Sequence, residues 1–125
     1  MKTNELTGAA LDWAVAKCQG IELENGCYNR LLVDGRMSKG QSMLVPFSPS
    51  THWVQGGVII ECEGINLENY AKNPQWSAWT PAPEQATGEA QAYGTTPLIA
   101  AMRCYVASKM GDNVTVPEEL QGETA

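Results

Sequence analysis

Positive charge is the scarcest resource of this sequence. Eight Lys and Arg stand against fourteen Asp and Glu, for a formal net charge of −6 over 125 residues. Basic side chains on phosphates supply most nucleic-acid affinity, so binding to long DNA or RNA is excluded as a function class. A single phosphorylated ligand held by one or two arginines is still compatible. Histidine occurs once, as His52, and phenylalanine once, as Phe47. The four cysteines, Cys18, Cys27, Cys62 and Cys104, include no C-x-x-C pair. Zinc spacing is therefore missing, no metal or cofactor is expected, and the thiols read as reduced in a cytoplasmic protein. No apolar run approaches the roughly 18 residues of a spanning helix, and no basic-then-apolar leader opens the chain, so no membrane contact is expected. A phosphate loop with lysine, a nucleophile elbow and a cysteine-protease signature are all missing, and we expect no enzyme and no catalytic residues.

The length fits one domain with one core. Residues 1–117 read as that domain and 118–125 as an acidic, flexible tail. Capping by Thr3 or Asn4, Glu5 in a first turn and a stop at Gly20 predict an N-terminal helix with Trp13 on its core side. Leu31 to Val33 reads as a short strand, and Ser42 to Phe47 as its partner across a hairpin loop at 36–41. Ile65 to Leu67 and Trp76 to Trp79 have strand character, and 84–91 reads as a disordered stretch. Thr96 as N-cap, Pro97 at the first position and Gly111 as stop define a second helix. Val114 and Val116 suggest a closing strand. The expected fold is α+β, two main helices on a small, mainly antiparallel sheet.

The stretch Phe47-Ser48-Pro49-Ser50-Thr51-His52-Trp53-Val54-Gln55-Gly56-Gly57 packs large aromatics, hydroxyls and backbone-special residues together, and it predicts an irregular loop that walls a core or a pocket. Val58 to Cys62 fits a short strand or a helix; as a strand it would put Glu61 and Glu63 on one solvated face. Phe47, Trp53, Trp76 and Trp79 could stack a planar ring, with Ser50, Thr51 and Gln55 bonding its edges and Arg103 meeting a phosphate. The same aromatics would serve equally as core.

Three blocks carry a family likeness. They are Glu5 to Ala16 (ELTGAALDWAVA), Phe47 to Gly57 and Thr96 to Lys109 (TPLIAAMRCYVASK), continuing to Gly111. Together they resemble the NinX family of small lambdoid-phage proteins. In that family the position of His52 is commonly aspartate and that of Val58 often proline. The resemblance implies a phage or prophage accessory protein in the bacterial cytoplasm, with no catalytic residues to carry over. A looser likeness, of layout alone, is to small phage anti-defence proteins that sequester nucleotide-derived immune signals, often as oligomers. The expected function is therefore a non-enzymatic binder of a small nucleotide-like ligand through Phe47, Ser50, Thr51, Trp53, Gln55, Trp76 and Arg103, plausibly as a homo-oligomer. The alternative is an interaction module that binds and modulates a host protein, with exposed tryptophans as its anchors.

Overall fold

The computed structural model describes residues 2–20, 29–33, 42–46, 48–69, 75–83, 85 and 88–116. Phe47, the hairpin loop at 36–41 and the acidic tail at 118–125 lie outside these residues. The described elements are helix α1 (Gly8–Gln19), strands β1 (Asn29–Val33) and β2 (Ser42–Pro46), helix α2 (Trp53–Glu63), strands β3 (Asn66–Glu68), β4 (Trp76–Pro81) and β5 (Glu89–Gly94), and helix α3 (Pro97–Met110). The fold is α+β, with three helices. β1 and β2 pair antiparallel, Leu31 opposite Leu44, and β3-β4-β5 form a separate antiparallel sheet in that order.

α3 is the hub. The sheet turns an inner face of Ala78, Thr80, Ala90 and Ala92 towards it, all buried. Such small side chains let the helix come close: a Cβ at Gly94 would stand 2.6 Å from the Ala100 nitrogen. Thr96 caps α3 as expected, its hydroxyl accepting from the Ile99 N–H at 3.1 Å. Leu98, Ala101, Met102, Cys104, Tyr105 and Val106 bury the helix on nearly every side. α1 and α2 pack against it away from the sheet, α1 through Ala10, Leu11, Ala14 and Val15.

Several boundaries differ from the sequence expectation. α1 begins at Gly8, with extended Thr7 at the N-cap position and no side-chain cap, because Thr3 is engaged elsewhere. Residues Thr3–Glu5 form a 3-10 turn, with the Thr3 hydroxyl on the Gly111 carbonyl (2.7 Å) and its N–H on that of Asp112 (2.8 Å). The stop at Gly20 holds, with φ 69 in the left-handed region. Val114 and Val116 are buried but form no strand; the chain there makes one bridge, Lys2 to Asn113. The stretch 84–91 is in part regular. Glu89 to Gln91 open β5, and Gln85 and Gly88 close the β4–β5 turn through bonds to Ala82 and to each other; residues 84, 86 and 87 lie outside the described set.

Candidate functional site

The Ser-Pro-rich segment is a tight turn feeding a helix, and the expected irregular loop is corrected. The Thr51 and His52 N–H groups both donate to the Ser48 carbonyl (3.1 and 3.0 Å). His52 Nδ1 meets the Ser48 hydroxyl at 2.6 Å, and Gln55 Oε1 accepts from the Ser48 N–H at 2.7 Å. Ser50 is buried against α1, where its N–H donates to Asp12 Oδ1 at 3.0 Å. The Ser50 hydroxyl has no partner at hydrogen-bond geometry, though it lies near enough to act on the Asp12 charge. From His52 the chain enters α2 directly, so Trp53, Gln55, Gly56 and Gly57 are helical. Gly56 acts by size: it is buried where α2 crosses Pro49 and Leu98. Gly64, at φ 65, ends the helix. Glu61 and Glu63 are thus two apart on a helix and do not share a face; Glu61 is exposed, and Glu63 pairs with Lys109 at 3.6 Å.

The residues expected to bind a ligand are dispersed. Trp53 is 55% exposed on α2, whereas Trp76 packs on the core from the helix side of β4. Ser50, Thr51 and Gln55 serve the turn itself. Arg103 is half-buried, and its donors hold backbone: Nε bonds the Leu6 carbonyl at 2.8 Å and Nη1 that of Tyr93 at 2.7 Å. Burial lowers its pKa from the ordinary value. An ammonium cannot bridge both carbonyls, so Arg103→Lys will cost about 2 kcal/mol of stability, read as a urea midpoint shift. A variant that folds with unchanged stability would release Arg103 from this structural role.

Two surfaces emerge instead. On α2 the inward stripe is buried Gly56 and Ile59 with half-buried Ile60 and Glu63, at helical spacing. The outward face carries Val54 (78% exposed) and Val58 (44% exposed) one turn apart, with exposed Glu61 and Cys62 beyond them, and exposed Trp53 stands in the first turn to one side of the two valines. On the outer sheet face, a groove of about 500 Å³ is lined by Glu68, Gln75, Ser77, Trp79, Glu89, Gln91 and Tyr93. Tyr93 was missed because the preceding stretch at 84–91 reads as disordered, which hides the strand that carries it. The Val54–Val58 face was missed because a run of valine and isoleucine has the same look in a buried strand. Among the described residues no three His, Cys, Asp or Glu side chains gather to hold a metal, and no helix is long and apolar enough to cross a membrane. Burial pushes the Cys18 and Cys104 thiols up to about 11 and about 12, which removes nucleophilic character from both.

Over residues 2–109 the sequence matches the family described as Bacteriophage P22, NinX. The chain belongs to the NinX family. Among curated proteins the sequence has no match. The NinX-like blocks now have structural meaning in this chain. Glu5 to Ala16 supplies the buried side of α1 and Asp12; Ser48 to Gly57 is the turn that seats α2; Thr96 to Gly111 is the central helix from cap to stop. Much of what makes this chain NinX-like is therefore its packing frame, and the most exposed apolar residues lie at one edge of it.

Proposed function

We propose that this phage protein is a non-enzymatic accessory factor that binds and modulates a host protein in the infected cell, with the outer face of α2 as the contact. The observation that carries this reading is the solvent-exposed apolar set Trp53, Val54 and Val58 in the first two turns of a helix already seated on the core through Gly56 and Ile59. Large apolar side chains exposed together mark a surface for a second neighbour, and tryptophan is a frequent interface anchor. The nucleotide-sequestering alternative draws less support, because Arg103 is bonded to carbonyls and Trp76 faces the core.

Native mass spectrometry of the protein purified from infected cells tests this. We expect a bound polypeptide that is lost in Val58→Asp and Trp53→Ala while thermal stability is kept. With the identified partner purified, affinity should fall at least tenfold in either variant, about 1.4 kcal/mol. An adduct of nucleotide mass would overturn the reading in favour of sequestration. A second copy of the chain, lost in the same variants, would make α2 a self-association face instead.

A further inference from the structure

We infer that the groove on the outer sheet face is a binding site for an arginine side chain of a partner polypeptide, independent of the α2 surface. The strand register builds it around one residue. Trp79 stands opposite Asn66 of β3 and Gln91 of β5, while Glu68 and Tyr93 both stand opposite Ser77, and Glu89 opposite Pro81. Side chains two residues apart share a face. Glu68, Tyr93 and Glu89 are therefore the diagonal neighbours of Trp79, with Cα atoms about 7–8 Å from it, within reach of long side chains. The Trp79 indole is thus flanked by a phenol and by two carboxylates on opposite sides.

That combination selects a particular chemistry. The ring faces attract a cation, and the carboxylates together with the Gln75, Gln91 and Ser77 oxygens accept hydrogen bonds. An anion, including any phosphorylated ligand, would be repelled by Glu68 and Glu89. Guanidinium suits the site better than ammonium: it is planar, weakly hydrated, stacks on aromatic rings and offers five donors in a fixed fork. Glu68, Gln75 and Glu89 each already have a partner in the chain, but an ionised carboxylate accepts up to about four hydrogen bonds and an amide oxygen two. Among the described residues no lysine or arginine lines the groove.

The platform is also held in place. Tyr93 is 42% exposed, yet its N–H donates to Asn4 Oδ1 at 3.1 Å and its carbonyl accepts from Arg103 at 2.7 Å. Its backbone is fixed from the outer edge of β5, so little ordering is needed on binding. The groove is open and runs across three strands, which suits a side chain presented by a chain; the α-carboxylate of free arginine would meet the two glutamates.

The test is an NMR titration of the full chain with the blocked tripeptide acetyl-Gly-Arg-Gly-amide. Its lysine and glutamine counterparts and free arginine run in parallel. We expect the Trp79 indole and Tyr93 amide signals to shift with the arginine peptide, and affinity to be at least about tenfold weaker with the glutamine peptide. Trp79→Ala should remove the shifts. Glu68→Gln/Glu89→Gln, a change of surface charge that leaves the aromatics in place, should weaken binding several-fold and flatten its salt dependence. Equal shifts from the glutamine peptide, shifts unaffected by the double variant, or no binding by the arginine peptide would overturn the assignment. Tighter binding of free arginine than of the blocked peptide would overturn the polypeptide as its source.

Discussion

Gly56→Ala will destabilise the protein severely, while Gly57→Ala, one residue on, will leave it intact or slightly more stable. Both glycines lie in the same helix turn, so the difference is purely one of neighbours. A Cβ at residue 56 would fall inside the contact distance of the Pro49 carbonyl oxygen and 2.6 Å from Leu98 Cδ2. Neither has room to give. Pro49 is itself buried, in a turn tied down by the Ser48 carbonyl and the Ser50 N–H, and Leu98 is buried in the first turn of α3. Overpacking of this kind costs about 1–3 kcal/mol and sometimes more; with two clashes at once we expect about 3 kcal/mol, or a fall in Tm of about 10 °C. At residue 57 the nearest atom is Trp53 Cε3 at 3.7 Å, an ordinary contact. There the intrinsic helix preference of alanine over glycine should add up to about 1 kcal/mol. Thermal unfolding of the two variants side by side decides it; similar Tm values would show that α2 is not seated as described.

The same residues explain what the sequence did and did not disclose. α3 was legible end to end because its signals are local: Thr96, Pro97 and Gly111 mark the ends whatever packs around them. β1, β2 and β4 were legible for the same reason. The turn before α2 was not. Ser, Pro, Thr and paired glycines are turn-formers by local preference, and they outweighed a helix whose reason for glycine is a contact with Leu98, forty-two residues away. Thr3 misled in the opposite direction: it is a good cap, but its hydroxyl bonds Gly111, 108 residues on. Arg103 looked like a free cation because nothing local shows that the Leu6 and Tyr93 carbonyls lie beside it. Trp79 was legible as a candidate aromatic, but its flanking by Glu68, Tyr93 and Glu89 exists only through strand register. α2's exposed valines needed the helix to be known first.

The buried Asp12 predicts a pH dependence opposite to that of a salt-bridged carboxylate. Burial pushes its carboxyl up from 3.8 to about 6, against the pull of the Ser50 N–H and hydroxyl and of the His52 charge. Between those values the folded chain holds a proton that the unfolded chain has released. Stability from this group is therefore greatest below about 3.8 and is lost as pH rises through 6, by on the order of 2–3 kcal/mol. Asp12→Asn isolates the effect. The amide oxygen can still accept from the Ser50 N–H, its NH₂ can reach the Ser50 hydroxyl that lacks a partner, and no charge is buried. We expect Asp12→Asn to match the native protein near pH 4 and to exceed it by on the order of 2 kcal/mol at pH 7.5. Asp12→Ala should instead lose about 1–3 kcal/mol near pH 4, since the Ser50 N–H is then buried without an acceptor, and lose less or nothing at pH 7.5, where removal of the buried charge offsets that loss. Urea midpoints across this range supply the test; a native-minus-Asn difference that does not vary with pH would sink the argument. Because Ser50 joins α1 to the turn that starts α2, Asp12→Ala should also loosen the placement of Trp53 and Val54. It should then weaken partner binding without altering a single residue on the contact face.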